Sequence, residues 1–282
     1  MNSSSDLLEH NERIHFWEFK GKEEYVDGWF LMDSPFLMAL ISLTYLVFVL
    51  NIGQKFMKNR PAFDLTFILG AYNFLQVIFS GYILYIGIRI LSTNGILGKS
   101  CFMETEESRY IITSSIYTYF IAKVTELLDT IFFVLRKKYN QVTFLHVYHH
   151  FLMFWSPWFV VKYEPSISTV FLGTLNSFVH IIMYSYYGLS AFPSMSKYLW
   201  WKKYITRMQL IQFVFIISHA AASTFLERCP PSNTLKFVII MNASLFIYLF
   251  GKFYVNAYLK SKTVNLKNNE ITTPNSKNIK VN

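Results

Sequence analysis

The chain has 282 residues, of which 53% are hydrophobic, 19% aromatic and only 15% charged. A soluble domain carries roughly a quarter charged residues, and here the charges sit between long apolar runs, so an ordinary soluble globular domain is excluded and a membrane-spanning chain is indicated. The net charge of +9 does not point to nucleic acid, because the basic residues gather at the ends of apolar runs and not in one soluble domain; they suit lipid headgroups or a phosphate-bearing substrate.

Residues 1–33 are polar and largely acidic, without the apolar stretch of a cleavable signal. The first span is therefore expected to target the chain. Asn2-Ser3-Ser4 matches a glycosylation acceptor. Apolar runs follow near 34–52, 63–90, 111–135, 142–162, 166–187, 205–226 and 235–258. Each is close to the ~20 residues that a helix needs to cross a bilayer, so the expected fold is an all-α integral membrane protein with seven transmembrane helices. The organisation read from the sequence is an N-terminal segment 1–33, a membrane domain 34–258 and a basic tail 259–282. The tail is rich in Lys, Asn, Thr and Ser and is expected to be disordered.

Seven spans place the termini on opposite sides. Sixteen of the 26 Lys and Arg residues then fall on the side that holds the tail, nine fall opposite, and Lys123 lies inside a span. The positive-inside bias makes the tail cytosolic and the N-terminus luminal or external. Cys101 and Cys229 both fall on the non-cytosolic side, where thiols oxidise. A Cys101–Cys229 disulfide is expected, the alternative being two separate thiols.

Ionisable residues inside a membrane are costly and mark sites. The third span carries Lys123, Glu126, Asp129 and Thr130; Lys123, Glu126 and Thr130 share one helical face, with Asp129 beside it. A paired charge network that fixes helix packing is the plain alternative to an active site there. The fourth span opens HVYHH, which puts His146, His149 and His150 on one side of a helix. Clustered imidazoles suit metal ligation, proton transfer or nucleophilic catalysis. The fifth span carries Asn176, His180, Met183, Tyr184 and Tyr187 at helical spacing, and the sixth carries Thr206, Gln209 and Gln212, with His219 further along as a structural residue. Tyr184, Tyr186 and Tyr187 also suit interfacial packing. Polar stripes on apolar helices face other helices or a cavity, so four such helices imply a shared polar interior.

KVTELLDTIFFVLRKKYNQVTFLHVYHH resembles the signature of the ELO-type very-long-chain fatty acid elongases, the 3-ketoacyl-CoA synthase family. DSPFLM, NRPAFDL, YNFLQV, NSFVHIIMYSYY and TRMQLIQ look like the same family in the same order, so the resemblance covers nearly the whole chain. It implies that helices 2–7 form a six-helix ring around a closed-ended acyl tunnel, open to the cytosol, with the first helix outside. It implies condensation of a long-chain acyl-CoA with malonyl-CoA to a 3-ketoacyl-CoA, CO2 and CoA in the endoplasmic reticulum membrane. The lysine spacing in the SKNIKVN end departs from the paired-lysine retrieval signal common in the family, so reticulum residence rests on the family alone.

Condensing enzymes need an acyl acceptor, and soluble ones commonly use cysteine. Both cysteines are expected on the luminal side, which leaves imidazole as the nucleophile. His149 is expected to carry the acyl group, His180 to act as base or enolate stabiliser, and His146 and His150 to orient and hydrogen-bond. Lys123, Glu126, Asp129, Tyr184 and Tyr187 line the substrate path in this reading. Asn176, Gln209 and Gln212 donate to carbonyl oxygens as charge develops. Lys137, Lys138, Lys202, Lys203 and Arg207 meet the CoA phosphates. No metal and no cofactor are expected beyond the CoA substrates. Expected partners are the bilayer, a second copy of the chain and the enzymes that complete an elongation cycle; nucleic acid is not one. The alternatives are a histidine-box di-iron desaturase or hydroxylase, for which the five histidines near the membrane are too few, and a seven-helix receptor or transporter.

Overall fold

The computed structural model describes residues 22–98 and 105–260, and within them the chain is helical, with no strand. After a short helix α1 (Glu24–Asp27), α2 (Pro35–Val47) runs through a π-helical turn, Phe48–Ile52, into α3 (Gly53–Met57). Then come α4 (Thr66–Asn94), α5 (Glu106–Leu135), α6 (Phe144–Tyr163), α7 (Ile167–Ser190), α8 (Lys202–Leu226) and α9 (Asn233–Tyr254), the last continuing through a second π-helical stretch, Val255–Lys260. Each of the seven expected spans coincides with a long helix.

Among the described residues, five helical segments are long and apolar enough to cross a membrane: Pro35–Met57, Thr66–Asn94, Ile167–Ser190, Lys202–Leu226 and Asn233–Leu259. The protein is thus a multi-pass membrane protein. The helices α5 and α6 occupy the two remaining expected spans but are more polar. The first carries Glu106, Glu107, Arg109, Lys123, Glu126 and Asp129, and the second opens with three histidines.

Local sequence explains the helix starts. Ser34, Thr105, Thr143 and Ser232 each accept a hydrogen bond from a backbone N–H in the first turn, at 3.2, 3.3, 3.3 and 3.1 Å, worth about 1 kcal/mol per cap. Pro35 occupies a first-turn position where its missing N–H costs nothing. Glu106 and Glu107 complement the positive end of α5.

The chain divides into two compact units, one of Met1–Leu65 and Phe102–Val170, the other of Thr66–Cys101 and Phe171–Asn282. In the first unit α5 packs on α6 and on α3. Gly53 permits the latter approach, since a Cβ there would meet a Val134 methyl at 2.9 Å. The end of α6 holds residues 22–33 in place. The fully buried Lys162 donates to the carbonyls of Met32 (2.6 Å) and Asp33 (3.1 Å) and pairs with Asp27 at 2.9 Å. Trp158 Nε1 donates to Leu31 O at 2.8 Å, and Trp155 Nε1 to Ser42 Oγ at 2.9 Å.

In the second unit Met183, Tyr184 and Ile205 form a buried core against Tyr72, Val77, Tyr186 and Trp201. The helices α4 and α7 touch closely where Gly87 faces Thr174. His219 is buried, stacks on Phe171 at 4.1 Å and donates from Nε2 to Ile96 O at 2.9 Å, which agrees with a structural role. The helices α8 and α9 pack together through Phe213, Phe246 and Phe250. Asn2, Cys101 and residues 261–282 of the tail lie outside the described residues.

Candidate functional site

The candidate residues fall into two sets, one in each unit. In the first unit, α5 presents the stripe read from the sequence. Lys123 Nζ donates to Glu126 Oε1 at 2.7 Å, and both side chains are only 2% exposed. The ammonium also lies 4.8 Å from the Tyr119 ring centroid. Asp129 is buried one turn further on. Two charges at this depth are tolerated because they neutralise each other. Thr130, which has no solvent exposure, accepts or donates at two contacts: Tyr45 Oη at 2.7 Å and His146 Nε2 at 3.0 Å. This last bond joins the polar face of α5 to the histidines of α6.

Those histidines form a packed row. The His146 and His150 ring centroids are 4.3 Å apart, and His149 meets His150 edge-on at 5.3 Å. Phe133 packs on His146 at 5.1 Å. Imidazoles packed this closely can pass protons between them and orient one another. Among the described residues, no three His, Cys, Asp or Glu side chains are grouped to hold a metal ion. Lys137 donates to Lys58 O at 3.2 Å with a left-handed backbone (φ 54°), while Lys138 is exposed.

In the second unit, α7 buries Asn176, His180, Met183 and Tyr184, whereas Tyr187 is exposed. The His180 and Tyr184 rings lie 5.5 Å apart, and Tyr184 also meets Tyr187 at 6.2 Å. Gln209 on α8 donates to Met183 Sδ at 3.7 Å, and Gln212 and Thr206 are buried. Near the start of α8, Lys202, Lys203 and Arg207 are exposed. The Arg207 guanidinium is braced: Nε donates to Tyr254 Oη at 2.6 Å, and the Tyr204 and Tyr254 rings lie 5.4 and 5.5 Å away. A guanidinium held through Nε and two rings keeps its outer N–H groups for a phosphate or carboxylate. Cys229 is disulfide-bonded; its expected partner, Cys101, lies outside the described residues.

Sequence reasoning did not identify Tyr45. A signal was present: Ser42 and Tyr45 are hydroxyl residues one helical turn apart inside an apolar run, and both are buried.

Comparison with known proteins places these residues in a family. Residues 30–265 match the model of the ELO family, described as the GNS1/SUR4 family. The chain is 44% identical over 244 residues to very long chain fatty acid elongase 2 of Mus musculus, covering 86% of this chain and 82% of that one. It is 40% identical over 270 residues to very long chain fatty acid elongase 4 of Homo sapiens, covering 93% and 84%. Identity to very long chain fatty acid elongase 7 of Rattus norvegicus is 38% over 262 residues, covering 92% and 93%. With several helices apolar enough to cross a membrane, an imidazole row on α6 and a family match over most of its length, the chain belongs to the ELO family.

Proposed function

We propose that the protein is a very-long-chain fatty acid elongase, the condensing enzyme that makes a 3-ketoacyl-CoA from a long-chain acyl-CoA and malonyl-CoA. The observation that carries this reading is the packed imidazole row of α6, hydrogen-bonded to the buried polar face of α5, in a chain of this family.

The reaction runs in two stages. A His149 ring nitrogen attacks the acyl thioester: the N–C bond forms, the C–S bond breaks, and CoA leaves with the imidazole proton. Malonyl-CoA then loses CO2, and the electron pair of the broken C–C bond becomes an enolate. The enolate attacks the acyl-imidazole, a C–C bond forms, the C–N bond breaks, and the departing imidazolate takes up a proton from solvent to restore neutral His149. His180 acts as base or holds the enolate, with Asn176, Gln209 and Gln212 as neutral donors to the developing oxyanions. His146 and His150 orient His149. Lys123, Glu126, Asp129, Tyr184 and Tyr187 line the substrate path. Lys137, Lys138, Lys202, Lys203 and Arg207 take the CoA phosphates, with Arg207 the best prepared by its tyrosine brace. Written this way, the chemistry balances without a metal or cofactor.

The architecture that goes with this reading has seven spans, with helices 2–7 ringing a closed-ended tunnel. Its N-terminus is luminal, its tail cytosolic, and its membrane is that of the endoplasmic reticulum. The 3-keto product requires reduction, dehydration and a second reduction, so the enzymes of those steps, and a second copy of this chain, are the proposed partners.

The test is an assay of the detergent-purified protein with a panel of long-chain acyl-CoAs and malonyl-CoA, read by mass spectrometry. A 3-ketoacyl-CoA two carbons longer, with CO2 released, is expected. Absence of that product for every chain length, from folded protein, contradicts the reading.

A further inference from the structure

We propose that Tyr45, on the first membrane-crossing helix, is a positioning residue for the α6 histidines: through Thr130 it holds His146 in a single tautomer. The proposal rests on the elongase reading for its kinetic consequence but not for its geometry, which lies entirely within the first compact unit.

The behaviour of Thr130 is the starting point. Hydroxyl side chains in helices usually bond back to a carbonyl one turn earlier, and the neighbours of Thr130 on α5 do so. Ser115 donates to Ile112 O at 2.7 Å, Thr118 to Ser114 O at 2.8 Å and Thr125 to Ala122 O at 2.7 Å. Thr130 instead reaches two side chains from other helices, Tyr45 at 2.7 Å and His146 at 3.0 Å, and is wholly buried.

Counting protons then gives the direction. Tyr45 and Thr130 each have one O–H, and neither hydroxyl has a hydrogen-bond partner outside this chain of three among the described residues. A buried polar hydrogen without an acceptor costs about 1–3 kcal/mol, and the membrane interior offers no water to take it. If His146 donated from Nε2 to Thr130, and Thr130 to Tyr45, the phenol proton would have no acceptor. If Tyr45 and His146 both donated to Thr130, the threonine proton would have none. Only one arrangement uses both buried hydroxyl protons: Tyr45 donates to Thr130, and Thr130 donates to His146 Nε2. In that arrangement Nε2 is an acceptor, and the proton of the neutral imidazole sits on Nδ1, on a ring that is only half-buried and whose Nδ1 is not among the buried atoms without a partner. The next ring, His150, lies 4.3 Å away and leads to His149. Tyr45 thus sets the first ring in a row of three whose far member carries the acyl group.

The sequence resemblance implied a first helix outside the ring of the other six. Tyr45 gives that helix a direct line to the histidines, through a buried phenol with 6% exposure.

The test compares Tyr45→Phe and Thr130→Val, each of which keeps its shape and loses one hydroxyl, with Ser42→Ala as a control. Ser42 lies one turn from Tyr45 and holds Trp155, so its loss also removes a buried bond between α2 and α6 without touching the chain to His146. Two readouts are taken on full-length protein: 15N histidine spectra for the tautomer, and kcat and KM for condensation. The wild type shows a neutral histidine protonated at Nδ1. Tyr45→Phe and Thr130→Val convert that signal to a mixture and lower kcat about tenfold, the low end for an orienting partner, with KM unchanged. Ser42→Ala keeps both the signal and kcat. If either folded hydroxyl variant retains the wild-type tautomer signal and kcat, or if Ser42→Ala lowers kcat equally, the proposal is overturned. A wild type without condensation activity would defeat the elongase reading instead, and the tautomer signals would still decide the role of Tyr45.

Discussion

At the scale of the residue, the Lys123–Glu126 pair shows how a charged site survives inside an apolar fold. Both side chains are 2% exposed and 2.7 Å apart. Their mutual attraction offsets a desolvation penalty that neither bears alone. Lys123→Met removes the cation that faces the buried Glu126 and is expected to destabilise the protein by about 3–5 kcal/mol. The double change Lys123→Met with Glu126→Leu removes both charges and is expected to recover most of that loss. Thermal unfolding in detergent checks the cycle, and a double variant no more stable than the single one would show that the pair contributes more than neutralisation. Sequence spacing placed Lys123, Glu126 and Thr130 on one face, and the structure agrees. Helical spacing relates residues of one helix only. The bond from Tyr45 to Thr130 spans 85 residues and was out of its reach.

At the scale of the element, apolar runs located the long helices among the described residues, but their ends are set by other forces. The run near 34–52 continues as helix to Met57, past Gly53, Gln54 and Lys55, because Gly53 seats against Val134. The helix α5 begins at Glu106 and not near 111, because the Thr105 cap and two first-turn carboxylates stabilise a polar start that hydropathy ignores. The far end of α6 carries a third lesson. Lys162 closes the apolar run near 142–162, and the structure buries it fully against Asp27 and the carbonyls of Met32 and Asp33. It therefore anchors the segment before α2 onto α6. Lys162→Met is expected to cost about 3–5 kcal/mol and to expose residues 22–33 first. Limited proteolysis, read by mass spectrometry, is expected to show new cleavage in that segment; protection equal to wild type would show that the Trp158–Leu31 bond suffices.

At the scale of the whole molecule, charge pattern and hydropathy carried the class of the protein. The polar stripes are the basis of the proposed site, since ionisable residues inside a membrane span mark sites. Hydropathy was less informative for α5 and α6, and for a physical reason. The helix α5 carries six charged residues and α6 opens with three histidines, so a criterion built on apolar, lipid-facing spans selects the other five. The family match over residues 30–265 and the elongase relatives near 40% identity then join this pattern to a reaction that neither hydropathy nor helical spacing specifies.

The central claim is that α6 supplies the acyl acceptor. Intact-mass measurement of the whole chain after incubation with a long-chain acyl-CoA alone, without malonyl-CoA, tests it most directly. A mass gain of one acyl group, matched by released CoA, mapped to His149 and discharged when malonyl-CoA is added, is the expected result. An adduct on any other residue, or product formed at full rate by His149→Ala, would contradict it.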